Sequence, residues 1–149
     1  HASVFVDAVD ISEKALNIAL KNAMRYGVEN RITFINADFL DNNIVLSGNY
    51  DLIVSNPPYI PLNKMPYLME SVRNYEPAVA LAAGSDGLIF YREIAERASS
   101  LLSKPGIILV ECGYNQGQKV REIFSDKGFS TLILKDLAGI NRVVAAAKK

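Results

Sequence analysis

DLIVSNPPYI, residues 51–60, changes character at its middle. Leu52, Ile53 and Val54 form an apolar run of the kind that crosses a buried sheet. Ser55 and Asn56 end it with polar side chains, and Pro57, Pro58 and Tyr59 follow at once. Pro57 biases Asn56 toward an extended backbone, and neither proline has an N–H to donate. The turn therefore offers acceptors: the Asn56 side-chain oxygen and the carbonyls of Asn56 and Pro57. Tyr59 adds a flat ring. A planar NH2 group, its hydrogens accepted and its plane stacked on that ring, would fit such a turn. The competing reading is a rigid strand-to-loop turn with a surface tyrosine. The position at the end of a central apolar strand favours the functional one.

Outward from this turn, strand-like and helix-like segments alternate. Residues 4–9 read as a strand ending at Asp10. Ser12 is placed to cap a helix whose apolar stripe is Leu16, Ala19, Leu20 and Ala23, with Gly27 as its stop. Residues 31–36 and 50–55 read as strands. Asp86 is placed to cap a longer helix with the stripe Tyr91, Ile94, Ala95, Ala98, Leu101 and Leu102, ended by Pro105-Gly106. Residues 107–111 form a strand, 116–126 a helix closed by Gly128, and 129–135 and 142–147 the last two strands. Strands alternating with helices predict an α/β sheet covered on both faces. Only residues 136–141 separate the final strands, and a parallel crossover needs about a dozen residues or more. The sheet is therefore expected to be mostly parallel with an antiparallel final strand.

The totals narrow the function classes. The 149 residues suggest one domain. Lys plus Arg and Asp plus Glu are balanced at 16 each, so no basic excess advertises nucleic acid. Cys112 is the single cysteine, which excludes an internal disulfide and fits a reducing compartment. The only histidine is His1. Cys–His and Ser–His catalysis lack a partner, and a multi-ligand His/Cys zinc site is excluded by count. No apolar run approaches the ~20 residues of a membrane helix, and no secretory or lipidation signal is present.

In open α/β sheets ligands bind at the carboxyl ends of strands, and Asp10, Asp38, Asn56 and Glu111 fall at those ends. Asp10 either bonds ribose hydroxyls or enters the following helix as an acid favoured by its dipole. Asp38 with Phe39 either clamps an adenine or is a turn acid beside a core aromatic. Glu76, Gly84 and Gly87 lie in a long stretch of loop character, which is commonly functional or disordered. Tyr67, Met69 and Tyr75 either line a groove or pack that loop down. Cys112 reads as a small buried residue.

Together AVDIS (8–12), NADF (36–39), DLIVSNPPYI (51–60), YEPAVAL (75–81), GSDGLIFYREI (84–94), ECGYNQG (111–117) and DLAGINRVV (136–144) resemble the HemK/PrmC family. These are S-adenosylmethionine-dependent protein-glutamine N5-methyltransferases that act on peptide chain release factors. NPPY alone is shared with amino-directed nucleic-acid methyltransferases, whereas its combination with EPAVAL and DGLIFYR is far more specific. The resemblance implies a cytoplasmic enzyme with a Rossmann-like domain, no metal and no direct nucleic-acid binding, monomeric at full length. It assigns Asp10 to the cofactor ribose, and Asp38 and Phe39 to the adenine. Asn56 is assigned to both cofactor and substrate. Pro57, Pro58, Tyr59 and Glu76 fall on the substrate side, with Asn56, Pro57 and Tyr59 catalytic.

The chain departs from the family at its start. Only nine residues precede Asp10, which leaves no room for the family's first strand, glycine-rich cofactor loop and first helix. Residues 1–149 are therefore expected to be a partial catalytic domain, without the family's N-terminal helical domain. Its sheet should carry two open apolar edges, and cofactor binding by this chain alone should be weak. The rival readings are an adenine-N6 nucleic-acid methyltransferase, a ribosomal-protein glutamine methyltransferase and a non-catalytic fragment.

Overall fold

Val6–Asp10 (β1) and Ile32–Asn36 (β2) pair in parallel, with Asp10 opposite Asn36, so both strands end at one rim. The computed structural model describes residues 4–148; His1 lies outside the described residues. The chain forms two compact units, His1–Leu46 and Ser47–Lys149. In the first, helix α1 (Glu13–Arg25) connects β1 to β2. The Ser12 hydroxyl accepts the Ala15 N–H at 3.2 Å, the cap expected of it. Leu16 and Ala23 of the expected stripe are buried, while Ala19 is exposed. The positive φ of Gly27 carries the chain out of the helix.

The second unit is a four-stranded sheet in the order β3-β4-β6-β5, formed by Tyr50–Ser55 (β3), Leu102–Glu111 (β4), Ser130–Lys135 (β5) and Asn141–Ala147 (β6). β3 and β4 are parallel, and β6 runs antiparallel to both β4 and β5. The reversed final strand follows from the short 136–141 connection, in which the Asp136 N–H donates to the Ile140 carbonyl at 2.8 Å. Helix α3 (Ile89–Leu101) buries Tyr91, Ile94, Ala95 and Ala98, the stripe read from the sequence. Helix α4 (Gly117–Asp126) buries Val120 and Phe124. With Ile108, Val110 and Val144 of the sheet these side chains make the core. Each large side chain fully removed from water contributes roughly 1.5–3 kcal/mol.

Three local expectations are corrected. Asp86 does not cap α3: the N-cap is Leu88, and Asp86 accepts the Leu88 N–H at 3.1 Å while pairing with Arg92. A capping oxygen serves the N–H of the second or third helical residue; Asp86, two residues before the cap, meets the N–H of the cap itself. Pro105-Gly106 does not end α3 either. The helix gives way to strand at Leu102, and the Pro-Gly pair lies inside β4, where the register against β3 jumps from Tyr50↔Leu102 to Leu52↔Ile107. Such a bulge tolerates a proline without an N–H. Nor is residues 61–87 one irregular loop. It holds a 3-10 turn at Leu62–Tyr67, the short helix α2 (Glu70–Tyr75) and a second 3-10 turn at Ala78–Ala80.

Among the described residues β1 pairs only with β2, and β3 only with β4. Each therefore keeps one open edge, as expected from the sequence. Leu52 and Val54 of β3 stand exposed, as do Val4, Phe5 and Val6 at the start of β1.

Candidate active site

The turn after β3 has the acceptor character read from its sequence. Pro57 is buried and Asn56 exposed. Among the described residues, neither the Asn56 side chain nor the carbonyls of Asn56 and Pro57 take part in a hydrogen bond. Pro57 thus anchors the turn in the interior while Asn56 stands at the surface.

Immediately downstream the chain is held tightly. The Ile60 N–H donates to the Leu81 carbonyl, the Ala83 N–H to the Ile60 carbonyl, and the Leu62 N–H to the Gly84 carbonyl, each at 2.9 Å. The parallel bridge Ile60↔Ala82 ties the NPPYI segment to the AVALAAG segment. Two stretches whose bonded residues lie 21 to 23 positions apart in sequence thus form one object, which pattern reading did not show.

Gln116 completes it, and the sequence reading passed over this residue. Its side chain is only 8% exposed. Nε2 donates to the Tyr59 carbonyl at 3.0 Å and to the Gly87 carbonyl at 3.2 Å, and Oε1 accepts the Gly113 N–H at 3.0 Å. A Cβ on Gly87 would lie 2.5 Å from the Tyr59 oxygen, and the φ of Gly87 is +78°. A Cβ on Gly113 would lie 2.7 Å from Gln116 Oε1 and 3.2 Å from the Tyr59 ring. Both glycines are required by close approach. The signal in the sequence was the pair of glycines flanking a glutamine in ECGYNQG, a stretch that entered only as part of the family resemblance. A cavity of about 350 Å³ adjoins Tyr59, Lys64, Asp86, Tyr114, Gln116 and Lys119.

Below this lies Tyr91, fully buried, whose hydroxyl donates to the Glu111 carbonyl at 2.9 Å. Burial pushes its pKa far up, so it remains a neutral donor. Cys112 is also fully buried, and burial raises its thiol pKa, which fits an inert packing role. The Arg92 guanidinium beside Asp86 holds that carboxyl below its ordinary range. Tyr67, Met69 and Tyr75 are 83%, 73% and 85% exposed, so they do not pack the segment down. Glu76, at the end of α2, is exposed too.

In the first unit, Asp10 and Asp38 stand at the same rim. Asp10 Oδ1 accepts the Ser12 N–H at 2.8 Å, the helix-entry geometry, and its exposed carboxylate keeps a second oxygen uncommitted. Asp38 Oδ1 accepts the Leu40 N–H at 2.9 Å in a turn, and Phe39 is half-buried beside it. Asn36, also passed over, donates from Nδ2 to the carbonyls of Asp10 and Ile11 at 3.1 and 3.0 Å. It thereby locks the end of β1 to the end of β2. No group of three or more His, Cys, Asp and Glu able to hold a metal occurs among the described residues.

The fold recurs in known methyltransferases. A methyltransferase from Pyrococcus furiosus superposes with a TM-score of 0.68 at 19% identity, over 97% of this chain and 62% of that one. TrmN from Thermus thermophilus gives 0.60 at 20% identity, over 97% and 36%. Residues 2–62 match the family described as "RMKL-like, methyltransferase domain". The chain thus shares its fold with a methyltransferase, and its residues 2–62 carry the match to a methyltransferase-domain family.

Its sequence relatives are more particular. The release factor glutamine methyltransferase of Fusobacterium nucleatum is 42% identical over 96% of this chain and 40% of its own length. That of Agrobacterium fabrum is 43% identical over 91% and 46%. A bifunctional methyltransferase of Rickettsia bellii is 41% identical over 93% and 25%. These matches bear out the HemK/PrmC resemblance carried by the motifs. The chain spans half or less of the length of these relatives.

Proposed function

We propose that the protein carrying this sequence transfers a methyl group from S-adenosylmethionine to the side-chain amide nitrogen (N5) of a glutamine in a peptide chain release factor. The observation that carries the reading is the Asn56-Pro57 turn, a rigid set of unpaired acceptors beside an aromatic ring. The relatives' names supply the substrate.

A glutamine amide nitrogen is a poor nucleophile because its lone pair is delocalised into the carbonyl. Asn56 and the Pro57 carbonyl accept the two N–H groups of that amide, fix its rotation and raise electron density on nitrogen. Both bonds strengthen as positive charge develops there, so they favour the transition state over the bound substrate. Tyr59 packs against the amide plane. Pro58 keeps the turn free of competing donors, and Glu76 lies on the protein-substrate side. Because the turn is held before the substrate arrives, little reorganisation opposes the reaction. The proton leaves to water.

Asp10 and Asp38 fit the ribose and adenine of S-adenosylmethionine. Each is an exposed carboxylate with one oxygen committed to the backbone and one left over, on a rim where Phe39 offers a ring. When bound, the cofactor supplies a methyl already activated by its sulfonium. No glycine-rich turn for its methionine end occurs in residues 1–149.

The test is intact-mass analysis of a purified release factor incubated with the full-length protein and S-adenosylmethionine, beside the same factor with its target glutamine replaced. One added methyl on the glutamine-bearing factor alone is expected, and Asn56→Ala should abolish it. No methyl on either factor would sink the reading. Methylation of duplex DNA or RNA instead would move the target to an adenine amino group.

A further inference from the structure

We infer that Gln116 is a positioning residue: it sets the Asn56-Pro57-Pro58-Tyr59 turn in its working geometry by holding the Tyr59 carbonyl. This rests on the methyl-transfer reading above and adds to it a residue outside the motif.

Four features of Gln116 lead there. Among the described residues it is the one buried side chain that carries an amide or a charge. All of its hydrogen-bonding groups are engaged: the two Nε2 hydrogens go to Tyr59 and Gly87, and Oε1 takes the Gly113 N–H. Its orientation is unambiguous, because backbone carbonyls only accept and the amide only donates. Its partners lie on three separate segments: the turn after β3, the loop before α3 and the end of β4. A buried amide satisfied in this way specifies one arrangement, since any shift strands polar groups away from water.

The link from Tyr59 back to Asn56 is mechanical. Asn56 follows β3, whose last residue Ser55 is paired with Val110. Between Asn56 and Tyr59 stand two prolines, each with φ confined near −65°. Few soft torsions remain between the strand end and the Tyr59 carbonyl. Fixing that carbonyl therefore fixes where the Asn56 amide and the Pro57 carbonyl point. Without the Gln116 bond, Tyr59 is held only through its neighbour Ile60, and the turn can rock.

Two variants separate positioning from stability. Gln116→Glu keeps the size and the acceptor for Gly113, but an ionised carboxyl has no hydrogen, and a protonated one only a single hydrogen, for the two carbonyls of Tyr59 and Gly87. Gln116→Met loses all three bonds at similar volume. Val120→Ala, on the same helix and fully buried, serves as a control that lowers stability without touching the turn. In the full-length protein both Gln116 variants should lower kcat tenfold or more, on the order expected when a reacting group is slightly misplaced. The KM for S-adenosylmethionine should stay within about threefold, because the adenine and ribose contacts are elsewhere. Val120→Ala, assayed well below its melting temperature, should leave kcat near wild type. Amide exchange of Gly113 should accelerate in Gln116→Met, whether or not the protein is an active methyltransferase. A kcat for both Gln116 variants no lower than that of Val120→Ala would overturn the proposal. So would an unchanged Gly113 exchange rate in Gln116→Met. An inactive wild type sinks the methyl-transfer reading instead, and the exchange experiment still decides whether Gln116 is an anchor. If Gln116→Met does not fold, the proposal stands or falls on the isosteric Gln116→Glu.

Discussion

At the residue scale, the site is built from what side chains cannot do. Pro57 and Pro58 cannot donate hydrogen bonds, and Gly87 and Gly113 cannot crowd. Gly87→Ala places a methyl 2.5 Å from the Tyr59 oxygen at a φ of +78°. Strain of this kind costs on the order of 1–3 kcal/mol. The expected outcome is a lower melting temperature together with a loss of kcat, since the displaced atom belongs to the turn. A variant that melts early but turns over normally would show the close approach to be structural only. Asn56 is legible in the sequence as a candidate because its chemistry is local. Gln116 was not, because its three partners lie 3, 29 and 57 residues away in sequence.

At the element scale, periodicity predicted most helices and strands, and the misses share a cause. The α3 stripe was read correctly because burial on one helix face leaves a 3.6-residue pattern. Pro105-Gly106 misled because Pro-Gly normally marks a chain break; the register jump that accommodates it appears only when β3 lies alongside. Tyr91→Phe should destabilise the α3–β4 packing by about 1 kcal/mol, the net worth of one hydrogen bond, with denaturant midpoints as the readout. The β5–β6 connection makes a pH prediction. The Ile140 and Ala138 N–H groups and the Arg142 guanidinium hold the Asp136 carboxyl below its ordinary 3.8. A carboxylate stabilised in the folded state supports folding above its unfolded pKa, and that support is lost as pH falls through the lower folded value. Asp136→Asn should therefore melt earlier than wild type at neutral pH, and the gap should close as pH falls below the ordinary carboxylate range. A gap independent of pH would assign the effect to the turn geometry alone.

At the scale of the whole molecule, β1 and β3 each end their sheet with an open edge. Leu52 and Val54 are 52% and 67% exposed. Unpaired apolar edges template association, so residues 1–149 expressed alone should self-associate. Val54→Lys should reduce that association in sedimentation experiments. The same chain should bind S-adenosylmethionine poorly, because its sequence holds no glycine-rich turn for the methionine end. Micromolar binding by isothermal titration would refute this.

What residues 1–149 determined unaided is the local chemistry. The strand that ends in a donor-free turn follows from two prolines. The antiparallel last strand follows from a connection too short for a crossover. The methyltransferase resemblance follows from motifs of which AVDIS, NADF, DLIVSNPPYI and ECGYNQG lie at strand ends and YEPAVAL and GSDGLIFYREI lie before and on α3. What only the tertiary structure decided is how separate segments hold one another. The NPPYI and AVALAAG stretches share backbone hydrogen bonds, Gln116 joins three segments, and Asn36 locks β1 to β2. The physical reason is that the periods 2 and 3.6 report burial of a residue's own face. A buried polar side chain is instead defined by the distant backbone groups it satisfies, and no local pattern encodes their position.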